Sequence, residues 1–583
     1  MGARVTQVDR RTRGLLTLAA LAVAFAAVDT YVVVLALPDM MASTGIGVQE
    51  LQRAAPIVSG FLLGYVAMLP LIGRVSDLRG PVPVLTASLI AFVIGSVVTA
   101  AAYDLTSMVV GRFLQGVGGG GLVPATMSLV AALYPVERRG LPLGLVSAVQ
   151  EFGAVIGPLF GAAVLTVTTW RGIFAINAAV GLLLYVAIRL FPREAATSAE
   201  SPGDRRQPER VPRGVPDILG AALLLIAVVA AGLTVNPPTA LYTDLTWGEL
   251  YVPVTDGGGR WLQPVGLIAI VAFVLFWVRC VMAQRPLLDV RAWGRTLDEA
   301  DGRGSALLCI ALAGIVLAFA TADPEVSVFS PQGPWFLTGS AVAAVSLVFH
   351  VRQAPDPILP RGVLAARAAW GGLVVSLLVG WALIAALVDI PLFARTAEES
   401  YDQLDAALVL LRFLVALPIG AVIGGYLVRR LDAGVVTAIG MAAAAASFAW
   451  MSTWDRGSLD SALHGWVPLA LGGLGFGLAL APVNAAVLAS TRDDSHGLAS
   501  ALVVVARMVG MLVGISVLTT WGLSRLYAER DADPSLGLRD LGMLQEQAVF
   551  QGAAAVAALA AALALVLFRG APTRGTRWTP PAG

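Results

Sequence analysis

Charge is scarce in this chain, and the residues that build chemical centres are scarcer still. Asp, Glu, Lys and Arg make up 13% of its 583 residues, about half of the roughly 25% usual in soluble domains. That excludes a water-soluble protein of this length, which would need far more polar surface. Lysine is absent, so every basic residue is an arginine. The two cysteines, Cys280 and Cys309, both fall in apolar segments, which leaves no disulfide framework and no metal-ligand spacing. The three histidines, His350, His464 and His496, stand apart near segment ends, and no metal site is expected. Hydrolase elbows, zinc-protease helix motifs and phosphate-binding P-loops are missing. These absences speak against an enzyme and against an ATP-driven pump. They leave no cofactor and no nucleic-acid partner to expect.

What the chain has instead is one apolar run after another, with a mean hydropathy of +0.80 and 57% hydrophobic residues. Runs of about 20 residues are long enough to cross a bilayer core of roughly 30 Å. The expected class is therefore an all-α polytopic membrane protein. Residues 1–14 form a short Arg-rich N-terminus, followed by an apolar run from Leu15 to Leu37 that is too long for a signal peptide. Spans at 54–73, 82–101, 106–131, 141–166 and 170–192 complete a first six-helix unit over 15–192. Residues 193–216, with Arg205, Arg206, Arg210 and Arg213 among Pro, Ser and Gly, read as a linker. A second six-helix unit covers 369–568, with spans near 369–394, 406–428, 434–452, 465–489, 498–522 and 548–568. Residues 353–368 connect into it, and 569–583 form a tail.

Between the units, 217–352 carries four apolar runs, at 217–235, 263–282, 305–321 and 335–351. They read as two hairpins, each ending in a similar phrase: Arg285-Pro286-Leu287-Leu288-Asp289 and Asp356-Pro357-Ile358-Leu359-Pro360. Duplication of a hairpin gives about sixteen spans, or fourteen if the shorter second pair does not cross. Either number is even. Arg74, Arg79, Arg138, Arg139, Arg285 to Arg303, Arg429 and Arg430 all fall on one side of such a topology, whereas Glu398, Glu399, Asp402 and Asp405 fall on the other. Positive-inside bias then puts both termini in the cytosol of a bacterial inner membrane.

The six-helix units also resemble each other. Asp29 matches Asp389 (AVDTYVV against LVDIPLF), and Gly140, Gly153 and Gly157 match Gly497, Gly510 and Gly514. Two related halves enclose a cavity at a pseudo-twofold axis, the design of an alternating-access transporter. An uninterrupted stretch from Gly497 to Ala532 would make a helix on the order of 50 Å long, which exceeds the bilayer.

Ionisable groups at mid-membrane depth are costly and are read first as functional. They are Asp29, Arg112, Glu151, Asp389, Arg412 and Arg507. A carboxylate that meets an arginine in one conformation and loses it in another couples proton binding to motion. Aligning the halves sets Arg507 opposite Gln150, beside Glu151, so a Glu151–Arg507 contact across the cavity is one reading and a fixed tie between bundles the other. Asp29 and Asp389 likewise serve either proton transfer or helix packing, and Arg412 either lines the cavity or snorkels to an interface. Gln115, Gln150, Arg412 and Asn484 are the polar candidates for the cavity wall.

At these residues the sequence resembles the major facilitator superfamily, in its drug:proton antiporter branch with extra central helices. Gly73-Arg74-x-Ser76-Asp77-x-x-Gly80 resembles the gating loop motif between the second and third helices. Leu78 and Pro81 depart from it, standing where basic residues are usual. Gly111-Arg112-x-x-Gln115-Gly116 resembles the fourth-helix motif, and Gly153-x-x-x-Gly157-Pro158-x-x-Gly161 the fifth-helix antiporter motif. Asp29-Thr30 and Trp170-Arg171-x-x-Phe174-x-x-Asn177 add two further family phrases. A narrower similarity, to the mycobacterial triacylglyceride exporters that are also associated with multidrug efflux, lies in Val28 to Val34, Leu417 to Ala421, His496 to Ser500 and Val505 to Met508. The resemblance implies a major facilitator fold and proton-driven antiport of a lipid such as triacylglyceride. It implies proton handling by Asp29 and Glu151 with Arg112, coupling through Arg507, and gating by Gly73, Arg74, Asp77, Gly80, Gly153, Gly157, Pro158 and Gly161; Asp389 is a proton-coupling candidate from its place in an apolar run and its match with Asp29. It further implies a periplasmic lipid-carrying lipoprotein as partner and an extended eleventh helix. The expected protein is thus a monomeric exporter of hydrophobic molecules that needs only the proton gradient. A general multidrug:proton antiporter, a non-transporting lipid-binding scaffold and an uptake symporter are the alternatives.

Overall fold

Within a hydrocarbon layer each backbone N–H and C=O must find its partner inside its own segment, so long apolar runs without strand pairing become helices. The computed structural model has seventeen α-helices and no strand among the described residues. The described residues are all except 1–9, 46–50, 134–139, 191–216, 236, 239–240, 242–243, 245, 255–259, 284–285, 287, 321–329, 399, 402, 429, 492–495 and 572–583, with some helical positions described by backbone alone. The 193–216 linker therefore lies outside them.

The first unit comprises α1 (Arg10–Ser43), α2 (Leu51–Arg79), α3 (Pro81–Ala100), α4 (Leu105–Leu133), α5 (Gly140–Val167) and α6 (Trp170–Leu190). The insert holds α7 (Ile218–Val235), α8 (Pro264–Met282), the short α9 (Val290–Glu299), α10 (Gly302–Ala320) and α11 (Gly333–Gln353). The last unit comprises α12 (Arg367–Ala397), α13 (Gln403–Leu427), α14 (Ala433–Met451), α15 (Ala462–Ala489), α16 (His496–Ala532) and α17 (Leu538–Leu567). Fourteen of these helices are long and apolar enough to cross a membrane. Helices α1 and α5, at 34 and 28 residues, would bring the number to the expected sixteen, and the second inserted pair is full length, at 19 and 21 residues. The amphipathic α9 was not anticipated, because its polar sequence carries no long apolar run.

The two six-helix units use the same pairings. Helix α1 packs on α5 and α6, α2 on α4, and α3 on α4 and α6; α12 packs on α16 and α17, α13 on α15, and α14 on α15 and α17. The close approaches follow the glycines. A side chain at Gly153 would collide with the α1 backbone at Ala24, and one at Gly510 with the α12 backbone at Leu377. The sequence match of these glycines thus marks equivalent crossings. Helix α16 runs unbroken to Ala532, 37 residues, or about 55 Å at 1.5 Å per residue. It outruns the bilayer core as the sequence implied.

Between the units, α2 meets α16 and α5 meets α13. Helix α10 lies over the α2–α16 seam, where the Cys309 thiol donates to the Ala67 carbonyl at 2.9 Å and Ser516 Oγ donates to the Phe319 carbonyl at 3.2 Å. The two inserted hairpins are built alike. Each opens on an aspartate that accepts from the N–H three residues on, Gly220 to Asp217 and Gly304 to Asp301, both at 3.0 Å. Each aspartate also reaches the second helix of its hairpin: Arg279 Nε donates to Asp217 at 3.1 Å, and His350 Nε2 lies 2.7 Å from Asp301. Arg279 and His350 stand at the same distance before Pro286 and Pro357, so the repeated phrases mark one repeated design.

Asp301 is the tighter knot, since the Ile358 N–H also donates to it at 3.0 Å. Burial works to raise its carboxyl, but the Ile358 and Gly304 N–H groups and the His350 ring outweigh this and hold it below the usual carboxylate range. A depressed carboxyl stabilises the fold above its unfolded value, near pH 4, and that contribution disappears as the pH drops through the folded-state value. Asp301 has φ 57°, a backbone that Asn tolerates and Ala does not, so Asp301→Asn should lose about 1–3 kcal/mol at neutral pH and little at pH 3. Tryptophan-fluorescence melts in detergent check this; equal deficits at both pH values would contradict it.

Candidate functional site

The first unit converges on a charge. Asp29 on α1 and Arg112 on α4 are 0% and 1% exposed, and Arg112 Nη1 donates to Asp29 Oδ2 at 2.7 Å. The second carboxylate oxygen, Oδ1, accepts from Gln115 Nε2 at 2.9 Å and from Asn177 Nδ2 on α6. Gln115 closes the ring by accepting from Arg112 Nη1 at 2.6 Å and donating to Ser96 Oγ on α3 at 3.0 Å. Ser96 in turn donates to the Phe92 carbonyl at 2.7 Å.

Sequence places these groups through helical spacing. Arg112 and Gln115 are three apart on α4 and share a face, while the glycines on either side of them let neighbours close in. A side chain at Gly116 would collide with the α2 backbone at Phe61, and one at Gly111 with α3 at Thr99. The Phe61 ring, brought up this way, lies with its centroid 4.3 Å from the Arg112 guanidinium carbon, and the Phe174 ring at 5.6 Å. Such cation–π contacts suit a guanidinium deprived of water. Arg112 Nε and Asn177 Oδ1 are buried without a hydrogen-bond partner. Five of the six helices thus contribute to one buried cluster.

Two ions buried away from water are held only by good geometry and satisfied hydrogen bonds. The chemistry available here is proton exchange. A proton on Asp29 would cancel its charge and leave Arg112 a cation without a counter-ion, so the cluster has two states with different packing requirements.

The other candidates are distributed more widely. Gln115 has both ends of its amide engaged within the Asp29 cluster. Gln150 is buried on α5. Arg507 is buried on α16, its backbone at the crossing with Gly380 of α12. The side chains of Glu151, Asp77 and Pro158 lie outside the described residues, and with them the expected Glu151–Arg507 contact. Arg412 stands away from the cluster, donating from Nη1 to the Gly465 carbonyl at 3.0 Å above the Trp466 ring. Asn484 is half-buried and donates to the Leu480 carbonyl at 3.3 Å on its own helix. Asp389 has joined a different partner, Glu546 on α17; the two buried carboxyl groups lie within reach of each other. Glu546 was missed because the expected last span began at residue 548, just beyond it. Ser96 was missed because a lone serine in an apolar run gives no signal.

Around the loop motif, Gly73 is buried under Pro124 and Arg74 is half-buried. Gly80 has φ 87° and ψ 153° at the start of α3, a backbone open only to glycine. Arg79 bridges to the insert, donating to Thr296 Oγ1 at 3.4 Å with its guanidinium 4.2 Å from the Trp293 ring centre on α9. Gly157 and Gly161 are buried along α5.

The bundles meet unevenly. Ala501 to Leu512 of α16 share one apolar core with Leu15 to Ala26 of α1, Phe61 to Val75 of α2 and Leu122 to Leu129 of α4. All of these lie toward the side where α1 begins. Toward the other side, Val32 to Met41 of α1 cluster, among the described residues, with Ile57, Met108 and Phe174 of their own unit. Among the described residues, the apolar core shared between the halves lies on the first side.

Comparison with known proteins agrees with this architecture. The chain matches the family model described as Major Facilitator Superfamily over residues 19–322 and 303–515. It is 35% identical over 514 residues to a triacylglyceride transporter of Mycolicibacterium smegmatis, covering 87% of this chain and 75% of that one. It is 33% identical over 520 residues to a triacylglyceride transporter of Mycobacterium tuberculosis, covering 87% and 82%. Among solved structures, the proton:xylose symporter XylE aligns with a TM-score of 0.52 at 13% identity over 98% of both chains. The human organic anion transporter MFSD10 aligns with a TM-score of 0.55 at 12% identity, over 95% of this chain and all of that one.

Removing one member of the ion pair should cost more than removing both. Arg112→Ala strands the Asp29 carboxylate and is expected to lose about 3–5 kcal/mol. Adding Asp29→Ala should recover part of the loss, giving a double-variant deficit smaller than the sum of the singles. Thermal unfolding of the three purified variants measures this, and strict additivity would show that the two residues do not act as a unit.

Proposed function

Since this chain belongs to the major facilitator superfamily and is a multi-pass membrane transporter, we propose that it exports hydrophobic molecules, triacylglycerides foremost, in exchange for protons by alternating access. The observation that carries the reading is the buried Asp29–Arg112–Gln115–Asn177 cluster. It is the one place among the described residues where a proton would switch an ion pair at the meeting point of five helices. The relatives named as triacylglyceride transporters supply the cargo class.

The cycle follows from the asymmetry between the sides. With positive-inside orientation the side of the shared core is cytosolic, so the present arrangement is the one that delivers cargo outward. A proton arriving from outside neutralises Asp29, and Arg112 then seeks charge or water elsewhere. The α1–α4 packing that the ion pair enforced relaxes, and the bundles reopen toward the cytosol. There Asp29 gives up its proton, the pair reforms, and cargo taken up from the inner leaflet is carried out. One charge moving across 100 mV supplies about 2.3 kcal/mol before any pH gradient is added, comparable with the cost of breaking a partly compensated buried pair. Glu151 and Arg507 act in the same step from opposite bundles, and a periplasmic lipoprotein receives the lipid. Selectivity rests on apolar contact, which is not directional.

Transport into proteoliposomes under an imposed pH gradient tests this, with labelled triacylglyceride and a cationic dye as rival cargoes. Lipid should move with the gradient, and Asp29→Asn should reduce that movement to background while the protein inserts and purifies normally. Dye movement without lipid movement would make the protein a general multidrug antiporter, and unimpaired lipid movement in Asp29→Asn would remove that residue from the mechanism.

A further inference from the structure

The last unit carries a second buried acid centre of a different kind. Asp389 lies 22 residues into α12, and Glu546 lies eight residues before Ala554 on α17. Their side chains are 7% and 1% exposed, α12 packs against α17, and Phe393 and Phe550, one turn beyond each acid, touch across the two helices, which sets the two acids side by side. Glu546 Oε2 is buried without a hydrogen-bond partner, while Oε1 receives only a long 3.4 Å contact from Gln545 Nε2. Asp29 has an arginine. This pair has none.

No ion pair among the described residues reaches the two acids, and Arg539, exposed on α17 seven positions before Glu546, has an interaction of its own. Among the described residues each of the two carboxyls has the other as its charged neighbour. On α17, Asp540 is bound to Arg456 at 2.5 Å; on α16, Arg525 is bound to Glu529 at 2.7 Å. Arg412 of α13 is held on the Gly465 carbonyl, and His464 of α15 lies beside Ser461. Arg507 of α16 crosses α12 at Gly380, nine positions and about 13 Å along the helix from Asp389. Arg395 lies in the last turn of α12, and α14 carries no ionisable side chain along its length. Phe393 and Phe550, each one helical turn from an acid, meet at 6.2 Å between ring centres, and Phe393 meets Trp454 at 5.3 Å. The surroundings are apolar and aromatic.

Two negative charges cannot stand side by side in such a place. A single proton resolves the conflict, because a carboxylic O–H on one residue donates to the carboxylate of the other. The bond that would form is O–H on either acid, and no other reactant is needed. We propose that Asp389 and Glu546 form an exchangeable proton-binding site in the C-terminal bundle, separate from the Asp29 cluster. The two acids titrate as one unit, and the site links α12 to α17 while the proton is present. Loss of that proton drives the helices apart. Two proton sites, one per bundle, then take part in each cycle; this last step rests on the proton-coupled reading, whereas the site itself does not.

Infrared difference spectroscopy on the purified full-length protein tests the site without any transport. A pH titration should show a carboxylic C=O band that shifts in deuterium oxide, is lost in both Asp389→Asn and Glu546→Gln, and persists in Asp29→Asn. Glu546→Asp, which keeps the acid, should retain a shifted band and controls for misfolding. A band unchanged in Glu546→Gln, or one that neither titrates nor exchanges with deuterium, would overturn the proposal in favour of a fixed packing contact. A band abolished by sodium at constant pH would overturn it in favour of a metal-cation site. In proteoliposomes Glu546→Gln should lower gradient-driven movement at least tenfold. Should the wild type itself ignore the gradient, the coupling scheme fails and the infrared result still decides the site.

Discussion

The first six-helix unit is organised around the need to keep one carboxylate content where there is no water. Burying an isolated charge costs several kcal/mol even after relaxation, and Asp29 is fully buried. Its stability in that position requires Arg112, Gln115 and Asn177 from α4 and α6, Ser96 from α3 to fix Gln115, and the Phe61 ring from α2 to cover the guanidinium. These demands set how closely the helices approach, and the glycines at 111 and 116 follow from them. A charge that dictates packing in this way is also one whose neutralisation alters packing.

The last unit repeats the pairings of the first but not its electrostatics. Asp389 occupies the position that matches Asp29 by sequence, yet it meets Glu546 rather than an arginine. Symmetry of backbone therefore coexists with different surroundings for the matching aspartates, a counter-ion in one half and a second acid in the other. The insert adds an asymmetry of its own. Helix α10 lies over the α2–α16 seam while α9 holds Arg79 at the end of α2, so one of the two inter-bundle junctions is braced by elements with no equivalent at α5–α13 among the described residues.

Most of the fold was legible along the chain. Span limits agreed with helices to within a few residues wherever an apolar run ended abruptly, as at Pro81–Ala100 and Pro264–Met282, because hydrophobic length is a one-dimensional property. The duplicated hairpin was visible in its closing phrases. Limits were missed where apolarity fades before the helix does: α17 begins at Leu538, ten positions ahead of its expected start, and that stretch contains Glu546. The amphipathic α9 escaped for the same reason.

For the site, the sequence alone determined which residues are anomalous: a charge in an apolar run has to be accounted for wherever the run folds. Asp29, Arg112 and Asp389 were identified on that ground. Which of them meet was decided by the tertiary structure, since helix rotation and crossing depth depend on side-chain volumes from several elements at once. Asp29 lies 83 positions from Arg112 and 148 from Asn177, and no local pattern encodes those encounters. Nor does one encode that Asp389 finds an acid and Asp29 a base. The chain specifies the charges that must be satisfied, and only the packed bundle selects the partners that satisfy them.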